Sequence, residues 1–225
     1  MSAPKKYLGQ HWLYDKQILD EIADAADVKS GDNILEVGPG KATLTDILLG
    51  RGAIVTAVEI DRALAQELSG LNKSDLKVIN NDILSFDFMQ MPVGYKIVAN
   101  IPYYLTSNLV RVISESPNPP STAVILIQKE VAERAAAKPG HMSLLSVTAQ
   151  FYWQVSLGVI VPPDAFEPSA KVDSQVLKLQ KREKPLYDDV EPKDFFRLVK
   201  AGFSQKRKTL LNSLSAGLQL DKSRV

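Results

Sequence analysis

Residues 98–106 read VANIPYYLT, an apolar run closed by an Asn, a Pro and two tyrosines. These residue types suit alkylation of the exocyclic amine of an adenine. That nitrogen is a poor nucleophile because its lone pair is delocalised into the ring. Two acceptors aimed at its hydrogens would favour a more tetrahedral nitrogen and help carry the developing positive charge. Asn100 can supply a side-chain carbonyl, and the backbone carbonyl beside Pro102 can supply a second. Pro102 has no N–H and restricts its predecessor to extended backbone, which fixes where the neighbouring carbonyls point. Tyr103 can stack on a base, a contact worth about 1–3 kcal/mol. Tyr104 is assigned to core packing at a helix start. If the methyl group arrives already activated, as on a sulfonium, alignment and exclusion of water suffice and no side chain with a catalytic pKa is needed. A further aromatic, Phe166, lies in the proline-rich stretch VPPDAFEPSAKVDS. It is expected opposite Tyr103, closing a clamp on an unstacked base. Lys171 and Asp173 are expected to brace that loop internally.

A donor must sit beside this stretch, and four strand-end positions describe where. The first strand runs into Glu36-Val37-Gly38-Pro39-Gly40, a turn whose glycines let the backbone approach a ligand closely. Glu59, 21 residues after Gly38, closes the next strand, where a carboxylate accepts ribose hydroxyls. Asp82, followed by Ile83, closes the third and can take the amine of an adenine; Asn100 closes the fourth. A dinucleotide site would want a third glycine for helix packing, but position 43 is Thr. Singly, Glu59 and Asp82 could be helix caps, as Asp61 is taken to be. As an ordered set they describe a pocket for a nucleoside without pyrophosphate, which S-adenosylmethionine fits.

The elements that must position these residues alternate. Strand-like runs at 33–37, 54–59, 76–80, 96–100 and 123–128 are separated by helical stretches at 42–49, 62–69 and 105–114, after a first helix at 16–26. Continuous apolar strands between helices predict an α/β fold with a mostly parallel, doubly wound, Rossmann-like sheet. Two further strands, within FYWQVSLGVIV and VLKLQ, are expected as an antiparallel pair at its edge. Residues 185–192 read as a linker and 195–218 as two amphipathic helices split near Ser204. The expected organisation is a catalytic domain at 1–184 and a small helical module at 185–225.

Composition narrows the class. The 225 residues are 45% hydrophobic and 24% charged, with no cysteine and two histidines far apart, so disulfides and a metal site are not expected. No run of about 20 apolar residues suggests a membrane span, and the chain is read as cytoplasmic. Residues 176–225 hold 12 Lys and Arg against 6 Asp and Glu, although the whole chain is only +1. The cluster Gln205-Lys206-Arg207-Lys208, with Arg197 and Lys200, suits either a phosphate backbone or a solvated helix face.

GQHWLYD at 9–15, EVGPG, the Glu59 strand end, Asn81-Asp82, NIPYY, VPPDAFEPSAKVDS and FSQKRKTLLNSL at 203–214 occur in the order found in the ribosomal RNA adenine N6-dimethyltransferases. The chain resembles the KsgA type, which acts on the small subunit, over nearly its whole length. The resemblance implies a class I methyltransferase using S-adenosylmethionine. It also implies transfer of two methyl groups to each of two adjacent adenines in the hairpin near the 3′ end of small-subunit rRNA, within an assembling ribosomal particle. His11 and Leu13 are implied as further cofactor contacts, alongside Gly38, Gly40, Glu59, Asp82, Ile83 and Asn100. A monomer is expected. The sequence departs from the family pattern at His11, Trp12, Lys41-Ala42, Ala170 and the stretch KPGHMSLLS. The family's longer helical C-terminal domain leads one to expect an incomplete module after residue 185. A large-subunit rRNA methyltransferase of the antibiotic-resistance type, or an RNA-binding assembly factor without activity, are the alternatives.

Overall fold

The structure, a computed structural model, describes residues 4–5, 8–187, 189–205 and 207–225. In chain order the first half comprises β1 (Trp12–Leu13), α1 (Lys16–Ala25), β2 (Asn33–Val37), α2 (Thr43–Gly50), β3 (Ile54–Glu59), α3 (Arg62–Ser69), β4 (Leu76–Asn80), β5 (Lys96–Asn100) and α4 (Thr106–Glu115). There follow β6 (Thr122–Gln128), α5 (Lys129–Ala135), α6 (Leu144–Tyr152), β7 (Trp153–Val161), β8 (Phe166–Glu167), β9 (Ser174–Lys181), α7 (Pro192–Phe203) and α8 (Leu210–Leu218).

Seven strands form one sheet in the order β4-β3-β2-β5-β6-β9-β7. The five from β4 to β6 run parallel, and β9 and β7 are added antiparallel at the edge, as the sequence led one to expect. Alternation along each strand divides the core. Leu35, Val37, Ile97, Ala99 and Ile125 meet Leu109, Ile113 and Ala149 of α4 and α6 on one face. Ile34, Val55, Ala57, Val98 and Val124 meet Leu19, Ile22 and Leu48 of α1 and α2 on the other. Side chains this completely buried contribute about 1.5–3 kcal/mol each for the larger aliphatics, so both faces of the sheet are held. The chain leaves β2 toward β3 and β4, then returns to place β5 on β2's other side. This reversal opens a crevice between the carboxyl ends of β2 and β5, the place where open α/β sheets bind ligands.

Local signals explain the element ends. Asp15 and Asp61 accept N–H groups of the first turns of α1 and α3, and Ser143 with Ser146 makes a capping box for α6. Three details differ from expectation. Helix α2 begins one residue later because Ala42 takes a left-handed conformation, φ 65°. A 3₁₀ turn, Tyr103–Leu105, precedes α4, and Tyr104 is 62% exposed rather than packed in the core. Strands β1 and β8, two residues each, pair antiparallel with Leu13 opposite Phe166, a pairing too short to leave a periodic signal.

The C-terminal helices form as anticipated. Gly217 of α8 lies so close to α7 that a Cβ there would stand 2.7 Å from Ala201 Cβ. Phe195 stacks on Phe151 of α6 at 4.5 Å, and the Leu186 N–H donates to the Phe151 carbonyl, so the linker is tied to the sheet domain. Arg197, Lys200, Arg207 and Lys208 are exposed, while Lys206 lies outside the described residues. No helix among the described residues is long and apolar enough to cross a membrane.

Candidate active site

The glycine turn is built by close approach. Gly38 and Gly40 have φ of 66° and 55°, and a Cβ on Gly40 would lie 3.0 Å from Trp12 Cδ1 and Nε1. Glycine is therefore required at 40 both for its left-handed backbone and for the indole lying against it. The Lys41 ammonium sits 5.2 Å from the Trp12 ring centroid and also pairs with Glu67, a use for the Lys that departs from the family pattern. Ala170 has a comparable account: its N–H donates to the Pro163 carbonyl at 3.0 Å, a bond that proline cannot make.

Glu59 is 4% exposed and receives the Gly40 N–H at 3.1 Å and the Asp61 N–H at 2.8 Å, one on each oxygen. An ionised carboxylate offers about four acceptor sites, so Glu59 retains acceptor capacity for a ligand hydroxyl. Burial raises the Glu59 pKa, while the Asp61 and Gly40 N–H groups oppose the rise. Asn80 ties the ends of β3 and β4 by donating to the Glu59 carbonyl at 2.8 Å. Asp82 is both capping and lining: one oxygen accepts the Leu84 N–H at 2.9 Å while the residue borders the cavity beside buried Ile83.

One residue the sequence reading passed over lies beneath this turn. Glu36, 1% exposed, shares the Ile34 face of β2, where the Thr45 hydroxyl of α2 donates to it at 2.7 Å. Burial pushes its carboxyl up to about 8, and the nearby acids Glu59 and Asp46 push the same way, against the hydrogen bonding of Thr45. An acid two residues before a glycine turn, on the apolar face of a buried strand, was the signal available in EVGPG.

On the opposite wall, Asn100 Nδ2 donates to the His11 carbonyl at 3.3 Å. That bond fixes the amide plane, and among the described residues Oδ1 has no partner. His11 Nδ1 bonds the Pro168 carbonyl at 2.7 Å, so this nitrogen carries the proton. Its ring stands parallel to Tyr103, centroids 6.4 Å apart and planes 17° inclined. The Tyr103 hydroxyl bonds buried Ser174 Oγ at 3.0 Å. The described residues before α1 are fastened over the crevice: Lys5 and Gln10 reach Asp61, Gly9 lies against Pro102, and Leu13 is buried in the core at the cavity edge.

One cavity brings all these residues together. It is bordered by Gly38, Gly40, Glu59, Asp82 and Ile83 on one side, by His11 and Leu13 above, and by Asn100, Pro102, Tyr103 and Phe166 beyond. Every sequence-identified site residue thus reaches it. Phe166 does so as a wall: it is 5% exposed and belongs to the same core cluster as Leu13. Among the described residues, Lys171 and Asp173 side chains make no bond within their loop, and Asp173 acts only through its carbonyl, which accepts the Lys129 N–H at 3.0 Å. Among the described residues no Lys or Arg borders the cavity, whereas three carboxylates do. No cluster of three metal-ligating side chains occurs among the described residues.

The parallel sheet, its switch-point crevice and the acid-rich nucleoside pocket define a Rossmann-like methyltransferase architecture, and known proteins agree. A crystal structure of a dimethyladenosine transferase from Plasmodium falciparum superposes with a TM-score of 0.79 at 31% identity, covering 93% of this chain and 77% of that one. That of the 23S rRNA methyltransferase ErmE gives 0.72 at 30% identity, over 91% and 84%. The ribosomal RNA small subunit methyltransferase A of Dehalococcoides mccartyi is 41% identical over 97% of this chain and 77% of the relative. The family model described as ribosomal RNA adenine dimethylase matches residues 1–224, and the chain belongs to that family.

Proposed function

We propose that the chain transfers methyl groups from S-adenosylmethionine to the N6 amines of two adjacent adenines near the 3′ end of small-subunit rRNA. The observation that carries the reading is the Asn100 amide: its nitrogen is held by the His11 carbonyl, which leaves Oδ1 to the cavity. The residues present fit the donor. Gly40 admits close backbone approach, Glu59 keeps acceptor sites for ribose hydroxyls, Asp82 has an oxygen free of its capping bond, and the wall without Lys or Arg suits a cation. S-adenosylmethionine supplies a methyl group activated on a positively charged sulfur.

Asn100 Oδ1 and the carbonyl before Pro102 accept the two amine hydrogens and hold the nitrogen lone pair toward that methyl. Tyr103, fixed through its hydroxyl by Ser174, offers its face to the base. As the N–C bond forms and the S–C bond breaks, the positive charge passes to the amine, whose surplus proton leaves to solvent. The small-subunit relatives favour that substrate over the large-subunit one, and the basic residues of 185–225 would track the phosphate backbone.

Asn100→Ala, incubated with labelled donor and small subunits lacking the modification, should lose at least 100-fold in transfer, since removing one oriented group at a developing charge costs about 10²–10³. Mapping should place label from the unaltered chain on two neighbouring adenines. Binding without transfer by the unaltered chain would identify an assembly factor, and label on large-subunit RNA would move the substrate.

A further inference from the structure

Glu36 is a buried acid bordering the cavity with no base beside it. The charged groups that bear on it, Glu59 from β3 and Asp46 from α2, are both acids. Its strand neighbours are apolar: Ala57 on one side, Val98 on the other. The three cavity carboxylates are not equivalent. Glu36 is the most deeply buried of the three at 1% exposed, and its hydrogen bonds come from Thr45 alone, through the hydroxyl at 2.7 Å and the backbone. A buried acid so placed keeps its proton at neutral pH, in line with the rise to about 8.

We propose that Glu36 reads the charge of the ligand: it gives up its proton when a sulfonium donor enters the cavity and regains one when only the neutral thioether product remains. This rests on the donor assignment above. The physical cause is local. A cation brought to this wall, where the described residues include three carboxylates and no Lys or Arg, stabilises the ionised carboxylate beneath the glycine turn, in a medium that screens poorly. After transfer the sulfonium charge is gone, and of the protein groups that bear on it an ionised Glu36 would again face Glu59 and Asp46, both acids. Proton uptake removes this penalty, so Glu36 acts as a positioning residue that separates donor from product by charge rather than shape. The balance is one proton to buffer on donor binding and one back when the thioether is left.

The test is calorimetry on the full chain at pH 7, in two buffers of different ionisation enthalpy, with S-adenosylmethionine and then S-adenosylhomocysteine. The dependence of the observed heat on buffer gives the protons exchanged. Donor binding should release nearly one proton per site, since a group titrating near 8 is roughly nine-tenths protonated at pH 7. Product binding should release far fewer. Glu36→Gln keeps the Thr45 bond and should abolish the difference; it also measures any proton taken up by the ligand's own amine. Thr45→Val, which removes the hydroxyl that stabilises the ionised form, should move the release to higher pH. Donor binding with equal proton counts in the original and Glu36→Gln chains would overturn the proposal. No binding of donor at all would instead overturn the donor assignment.

Discussion

Tyr103 is held at two points, its hydroxyl by Ser174 and its ring by the parallel imidazole of His11. If a base lies on this ring, Tyr103→Ala should cut methyl transfer about 10- to 100-fold, the kinetic equivalent of roughly 1–3 kcal/mol. Donor affinity measured by calorimetry should barely change, and an equal loss of both would remove Tyr103 from the substrate side. Tyr103→Phe keeps the face and loses only the anchor, so its effect should be smaller. A second expectation concerns pH. Because burial raises Glu36 from 4.5 to about 8, the folded chain holds a proton that the unfolded chain has shed between those values. The stability it contributes is therefore complete below about 4.5 and is lost as pH climbs toward 8. Thermal melts of the ligand-free chain should fall across that window, and Glu36→Gln should flatten the slope. Asp61 has the opposite sign: burial works against its charge, but Lys5, Gln10 and the Ala63 N–H hold its pKa down, so its contribution fades only as pH drops through the acid range.

Among the elements, those with long signals were legible and short ones were not. Strands β2 to β5 are rich in apolar residues, and their ends place Glu59, Asp82 and Asn100 where residue order alone suggested. Strands β1 and β8 escaped because two residues have no period, and yet they bring His11 and Phe166 to the cavity. Tyr104 misled because it directly follows Tyr103 on a 3₁₀ turn that the sequence reading placed at a helix start, and there its side chain is exposed rather than packed. Glu36 was hidden by its apolar neighbours, which read as strand rather than site. We propose that residues 185–225 form a module separable in role from 1–184, and the α7–α8 contact offers the means to test it. Gly217→Val would force a side chain against Ala201, an overpacking that typically costs about 1–3 kcal/mol. Binding to small-subunit RNA should weaken while donor affinity is retained; loss of both would show that the two parts work as one.

At the scale of the whole molecule, charge is sorted rather than abundant. The cavity wall is acidic and the last fifty residues are basic, though the chain carries only +1 overall. Composition could reveal the basic end but not the acidic wall, whose members come from three different strand ends. The two ligands should accordingly respond to salt in opposite degree. Affinity for RNA should fall steeply between 50 and 200 mM salt, by about 10³-fold or more if six phosphates are neutralised. Donor affinity, set in a partly enclosed cavity, should move little. A shallow slope for RNA would argue for base stacking over backbone attraction.

The hydrogen bond from His11 to the Pro168 carbonyl joins residues 157 positions apart, and Asn100 leans on the same histidine. The roof of the cavity is thus made by the first part of the chain and latched by a segment synthesised much later. A nascent polypeptide cannot complete this cavity until the loop around residue 168 has emerged, so, on the proposed donor assignment, competence to bind a nucleoside would report that synthesis has passed that point. Ligand capture by stalled chains of increasing length should switch on abruptly there.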